Sequence, residues 1–310
     1  MKRHVKRTAV ISAVLLVTCA MIAAYLAYGR SRRNARATGD ETGQRKAERV
    51  VSLGPAVTEL IYAVGRGNIM VGRTRYCDHP EEALSVPIVS DYLSPDVERV
   101  LSVKPDMVFV SPGPGNRDAV EKLWSLGVRV DVLPLYTLDE IKKAALRLGE
   151  LLDAKTEAGK LVENIERELE ELKRKAAGNE RVRVLFVVSH DPLVLAAPGS
   201  LPGELLEIAG GINAAPATAG KTYVSVEREK LSSLRPKVVI DASAMGDSGN
   251  TLKEEELRRF YRSVPGWPGD VRVVIARDDA IYLPGANVVH GARLIYEFLH
   301  GAAAAGAETE

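Results

Sequence analysis

Lys155-Thr-Glu-Ala-Gly-Lys-Leu161-Val-Glu-Asn-Ile165-Glu-Arg-Glu-Leu169-Glu-Glu-Leu172-Lys-Arg-Lys-Ala-Ala177 is the stretch whose reading decides the fold. Leu161, Ile165, Leu169 and Leu172 recur at steps of three and four, with Glu, Lys and Arg between them, which is the period of one face of an α-helix. The spacing predicts a single helix of about 23 residues, about 34 Å long, with Gly178 as its stop. That is too long for a crossover inside one small sheet. The helix therefore reads as a strut between two separate α/β units.

Both flanks agree. Before it, strand candidates Glu48–Leu53, Ile69–Gly72, Met107–Val110 and Val128–Leu133 alternate with helical patterns ending at Gly65 and Gly127. Ser94-Pro95-Asp96 reads as a helix start with Ser94 as cap, and Thr137-Leu-Asp-Glu140 as a capping box. After it, strands Val182–Val188, Val238–Asp241 and Val271–Ala276 alternate with helices Pro202–Ala209, one capped by Thr251, and Ala286–His300. Such alternation is the mark of an α/β fold with mainly parallel sheets.

The two flanks also echo each other. Glu98-Arg-Val-Leu-Ser-Val-Lys-Pro105-Asp-Met-Val-Phe109 parallels Glu229-Lys-Leu-Ser-Ser-Leu-Arg-Pro236-Lys-Val-Val-Ile240. In each, a Glu stands seven residues before a Pro, and Ser, a basic residue and an apolar strand fall at matched positions. Two similar lobes joined by one rigid helix are the simplest arrangement that explains this.

Composition narrows the function. Of 310 residues, 46% are apolar and 27% charged, the balance of a globular protein. The net charge of +1 hides an asymmetry: residues 1–40 hold 8 basic side chains and only Asp40 as an acid, so the remainder carries 34 basic and 40 acidic groups, a net of −6. A body of that sign has no reason to bind nucleic acid, whose phosphates require clustered Lys and Arg. Cys19 and Cys77 are the only cysteines, too few for a disulfide framework or a four-cysteine zinc site.

Residues 1–7 form a basic tail, and Thr8 to Gly29 run for 22 residues without a charge. As a helix this segment would be about 33 Å long, enough to cross a hydrocarbon core of about 30 Å. A single-pass anchor fits its length best. Lipidation of Cys19, hinted at by Leu16-Val17-Thr18-Cys19, and cleavage as a secretory signal remain open, and all three place the body outside the cytoplasm. Residues 30–47 read as a polar linker, 48–152 as the first lobe, 153–178 as the connecting helix, 179–303 as the second lobe and 304–310 as a disordered tail.

Catalytic patterns fail on inspection. Ser189-His190-Asp191 holds the residue types of a hydrolase triad, but neighbours on an extended segment point to opposite faces. Ala215-Pro-Ala-Thr-Ala-Gly220-Lys221-Thr222, with Val238-Val-Ile-Asp241 after it, imitates a phosphate loop, yet no strand precedes it and no helix follows. His79, His190 and His290 lie in separate segments with no metal-ligand spacing, so no metal site is expected. The expectation is a binding protein, not an enzyme. Aromatic residues make up only 5%, so tyrosines near strand ends in both halves stand out: Tyr76, Tyr92, Tyr136, Tyr223 and Tyr282. Each offers an apolar face with a polar tip to a ligand between the lobes.

At these residues a resemblance appears. Arg49-Val-Val-Ser-Leu-Gly-Pro-Ala-Val-Thr-Glu59-Leu, Val71-Gly-Arg-Thr-Arg-Tyr76-Cys-Asp78-His-Pro80-Glu-Glu-Ala, Val89-Ser-Asp-Tyr92 and Lys104-Pro-Asp-Met-Val are similar to the substrate-binding proteins of ABC importers for cobalamin and iron complexes. The similarity runs from residue 48 to about 302, and Tyr76-x-Asp78-x-Pro80 resembles the cobalamin branch. It implies the class III periplasmic binding protein fold, two Rossmann-like lobes on one long helix, and transport without covalent chemistry or a resident cofactor. By position it assigns ligand contacts to Tyr76, Tyr92, Tyr223 and Asp279. It also assigns Glu98 and Glu229, one per lobe, to docking on the two-fold ABC permease dimer, which suits their equivalent places in the repeat. Ser111 and Val194 stand where cobalamin binders carry aromatics, and Pro284-Gly-Ala-Asn287 replaces the usual Pro-Gly-Pro-Arg. These departures keep a haem or ferric-siderophore ligand as the alternative, with a sensor or enzyme domain on the same scaffold as the alternative of another kind.

Overall fold

The computed structural model describes residues 46–91, 95–113, 116–218, 221–243 and 254–301. The segment Thr8–Gly29, Cys19, Tyr92, Ser94, the cap position Thr251 and the tail 304–310 lie outside them. No helix among the described residues is long and apolar enough to cross a membrane.

Two sheets carry the chain. The first joins β1 (Val50–Ser52), β2 (Met70–Thr74), β3 (Ile88–Ser90), β4 (Met107–Val110) and β5 (Val130–Val132) in the order β3-β2-β1-β4-β5, every pair parallel. Its helices are α1 (Pro55–Ala63), α2 (Val97–Ser102), α3 (Arg117–Ser125) and α4 (Leu138–Leu151). This is the doubly wound order of a Rossmann-like half. The second sheet has the order β11-β10-β6-β7-β9, from β6 (Val182–His190), β7 (Leu193–Ala196), β9 (Tyr223–Ser225), β10 (Val238–Asp241) and β11 (Arg272–Ile275), with β8 (Gly211–Asn213) pairing β6. Here β6, β8, β10 and β11 are parallel, whereas β7 is antiparallel to both β6 and β9. The hairpin β6–β7 and the strand β9 depart from the mainly parallel expectation, and β8 is a strand directly before the phosphate-loop imitation, where none was expected. Helices α6 (Leu201–Ile208), α7 (Glu254–Arg262) and α8 (Val288–His300) cover this sheet.

Central strands are apolar through most of their length because both their faces are covered. Val50, Met107 and Phe109 face one core, while Val51, Val108 and Val110 face the other, under α2 and α3. In the second sheet Val184, Phe186, Val238 and Ile240 join that first core, and Leu185, Val187 and Val239 pack under α7. The first core is thus shared by both lobes, within one compact unit that begins at Ala47.

The strut is one unbroken helix, α5 (Lys155–Ala176). It buries Ala158, Ile165, Leu169, Leu172 and Ala176, with Leu161 half-buried at the edge of the same face. Its exposed side is tied to the last helix of each lobe: Lys142 Nζ of α4 reaches Glu166 at 2.7 Å, and the Arg293 guanidinium of α8 reaches Glu168 at 2.6 Å. Exposed pairs of this kind add at most about 1 kcal/mol each, so apolar burial holds the strut. Gly65 and Gly127 close α1 and α3 with φ of 74° and 80°, the left-handed turn that favours glycine. Gly178, expected to do the same for the strut, is not among the left-handed residues, and Ala177 caps that helix in right-handed geometry. Helix α2 is capped by Asp96, whose side chain accepts from the Arg99 N–H, and not by Ser94 as expected.

The internal repeat is visible in detail. Arg49 donates to the carbonyls of Lys104 (3.0 Å) and Val103 (2.6 Å). Arg183 donates to those of Arg235 (3.3 Å) and Leu234 (2.9 Å). Lys104 and Arg235, each just before the matched Pro, both adopt positive φ, at 48° and 49°.

Candidate functional site

Open α/β sheets bind ligands beyond the carboxyl ends of their strands. A cavity of about 770 Å³ lies there between the lobes. Glu59 of α1 and His79, on the loop leaving β2, come from the first lobe. The second supplies Arg277, Asp278 and Asp279, which follow β11, then Leu283, Asn287 and His290 at the start of α8. Its size falls in the range of small-molecule sites.

Among the described residues, three carboxyl groups, one guanidinium and two imidazoles line the cavity. Glu59 is only 5% exposed, although it sits on a helix whose other buried residues are mostly apolar. Burial, reinforced by Asp279, pushes its carboxyl up to about 7, against the opposing pull of the Asn287 and Ala286 N–H groups and of His79. One of its oxygens, Oε2, has no hydrogen-bond partner. Asp279 is likewise raised, by burial and by Asp278 and Asp78, with His79 opposing. For Asp278 burial acts upward, but the Ala280 N–H, His290 and His79 together hold its carboxyl below the ordinary range. Its Oδ1 accepts from Ala280 at 3.0 Å and its Oδ2 lies 3.0 Å from His290 Nε2. Arg277, the one guanidinium among the described lining residues, is engaged by Glu254 Oε2 at 2.7 Å.

The residues expected from the sequence are placed unevenly. Asp279 lines the cavity. Tyr76 is half-buried on the segment leading to His79, outside the lining. Tyr223, 41% exposed at the start of β9, also stands outside it. It neighbours Tyr136 of the first lobe, and partial burial followed by that phenol raises its own ionisation. Tyr92 and Cys19 fall outside the described residues. Glu98 is exposed in the first turn of α2, and Glu229 is exposed on the turn Arg228–Lys230, 3.7 Å from the Arg228 guanidinium. Sequence reasoning passed over Glu59, Asp278 and the placement of His79 and His290. The available signal was Glu59 itself, a carboxylate within Ala-Val-Thr-Glu-Leu-Ile-Tyr-Ala.

The catalytic imitations resolve into structure. His190 Nε2 lies 2.8 Å from Asp241 rather than turning to its neighbours in sequence. Asp241 also accepts from the Ser243 hydroxyl (2.6 Å), the Ser243 N–H (3.0 Å) and the Tyr261 hydroxyl. The aspartate of the phosphate-loop imitation is thus a fully buried anchor between β6, β10 and α7. Among the described residues no three His, Cys, Asp or Glu side chains are grouped to hold a metal ion.

Two sheets, a bridging helix and a polar cleft between them are the arrangement of a ligand-binding protein. Comparison with known proteins gives the same class. Residues 50–259 match the periplasmic binding protein family, and the chain belongs to it. It is 31% identical over 203 residues to the vitamin B12-binding protein of Vibrio parahaemolyticus, an overlap of 65% of this chain and 74% of that one. Its fold matches the crystal structure of the periplasmic vitamin B12-binding protein BtuF of Vibrio cholerae with a TM-score of 0.66 at 24% identity, over 82% of this chain and 96% of that one. The periplasmic haem-binding protein RhuT of Roseiflexus matches with a TM-score of 0.69 at 21% identity, over 83% and 99%.

Proposed function

We propose that this chain captures a corrinoid of the cobalamin type in the interlobe cleft, outside the cytoplasm, and delivers it to an ABC permease. One observation carries the choice of ligand: Glu59, Asp278 and Asp279 face the cavity, and its guanidinium is taken up by Glu254. A corrin ring is fringed with neutral amides whose N–H groups suit such acceptors. A haem presents carboxylates, which would meet like charge in a poorly solvated site. Relatives about 30% identical that bear the vitamin B12-binding name support the same choice. Haem is the second reading, favoured by His79 and His290, imidazoles of the type that ligate iron, on the cavity wall.

In this reading Asp279 meets ligand donors, and Tyr76, Tyr92 and Tyr223 supply apolar faces to the ligand. Residues 48–152 and 179–303 act as its two walls, and 153–178 as the strut. Glu98 and Glu229 dock on the permease dimer. Thr8–Gly29 tethers the body to the membrane, which keeps its local concentration at the transporter high. Intact mass distinguishes this anchor from acylation of Cys19, which would remove residues 1–18. The visible absorbance of protein purified from its own host tests the ligand. Corrinoid bands are expected, and an intense haem band in their place would reverse the assignment.

A further inference from the structure

Each lobe lays one glutamate on the amino end of the other lobe's last helix. From the first lobe, Glu59 of α1 approaches the turn that opens α8. A methyl group added to Gly285 would stand 2.0 Å from Glu59 Oε2, and the Ala286 and Asn287 N–H groups favour the ionised carboxyl. From the second lobe, Glu204 of α6 accepts the Leu138 N–H, the first residue of α4, at 2.7 Å. Beside it the Leu201 N–H donates to the Tyr136 carbonyl at 2.9 Å, a second bond between the lobes. The positions correspond: α1 and α6 both begin with a proline in the first turn, and α4 and α8 are the last helices of their lobes. The amino end of a helix presents unpaired N–H groups and positive potential, so a carboxylate from across the interface satisfies both. Glu59 and Glu204 border separate cavities, so the two contacts share no residue.

We propose that Glu59 and Glu204 are reciprocal positioning residues which together set how far the two cleft walls stand apart. The shared apolar core holds the lobes together without direction. The two carboxylates add direction, because each fixes one helix end of one wall against a helix of the other. The inference does not depend on which ligand occupies the cleft.

Amide hydrogen exchange on the full, ligand-free chain tests it. In Glu204→Leu, exchange at Leu138 should accelerate about tenfold, the equivalent of one lost hydrogen bond, and exchange at Ala286 and Asn287 should accelerate with it. Glu204→Gln keeps a carbonyl acceptor for Leu138 and should restore both rates. Glu59→Leu should produce the mirror result, loosening Leu138 from the opposite contact. A change confined to the mutated contact, or none, would overturn the proposal and leave two local helix caps. Cyanocobalamin release should quicken in the same variants. Where no corrinoid binds at all, the ligand assignment fails, while the exchange pattern still decides the positioning role.

Discussion

Glu59 shows how one buried carboxyl links pH to stability. Its folded-state value of about 7 lies above the ordinary 4.5, so between those values the folded chain binds more protons than the unfolded one. Stability contributed by the neutral form is complete below about 4.5 and is lost as pH rises through 7. Glu59→Gln should therefore stabilise the protein at pH 8 by up to about 3 kcal/mol, read as a higher melting temperature, and change little at pH 4. A variant equally destabilised at both would contradict this reading. Asp241 behaves in the opposite sense. Burial pushes its carboxyl up, but His190, Ser243 and Tyr261 outweigh burial and hold it below the ordinary value. Its contribution is present above that ordinary value and lost in acid. Asp241→Asn should cost about 3 kcal/mol in urea unfolding at neutral pH, since it breaks a buried pair. Neither role could be read from the sequence. Asp241 looked like part of a nucleotide motif, and the partners that make it structural lie 20 and 51 residues away.

At the level of elements, legibility followed the range of the interactions. Helix α5 was legible because its apolar period is carried by neighbours three and four residues apart, and it emerged unbroken. The strands Met107–Val110 and Val238–Asp241 were legible as apolar runs behind matched Pro turns. The hairpin β6–β7 and strand β9 were not. Leu193-Val-Leu-Ala is too short to show a period, and its pairing depends on residues 223–225, far along the chain. The contact between α4 and α5 rests on small residues that meet in space: a methyl group on Gly149 would lie 2.5 Å from Ala158 Cβ. Gly149→Ala should destabilise the protein by about 1–3 kcal/mol despite its better helix propensity, because overpacking at this crossing outweighs the gain. Denaturant unfolding measures the balance, and a stabilised variant would show that the two helices can move apart without loss.

For the whole molecule, the sequence indicated two lobes around a strut, and the paired arginine bridges of Arg49 and Arg183 give that repeat a physical basis. The cleft was legible only as a place. Its lining is assembled from residues 59, 79 and 276–290, which no local pattern unites, and of the expected ligand contacts among the described residues only Asp279 lies in it. On the proposed docking role, Glu98→Arg combined with Glu229→Arg should leave ligand affinity unchanged and abolish uptake in cells, whereas undiminished uptake would favour a sensing role. The most direct test of the account is a calorimetric titration of the purified protein with cyanocobalamin and, in parallel, with haemin. One cyanocobalamin per chain, bound saturably and weakened by Asp279→Arg, with no stoichiometric response to haemin, is the expected result. Silence toward cyanocobalamin together with tight one-to-one binding of haemin would contradict it.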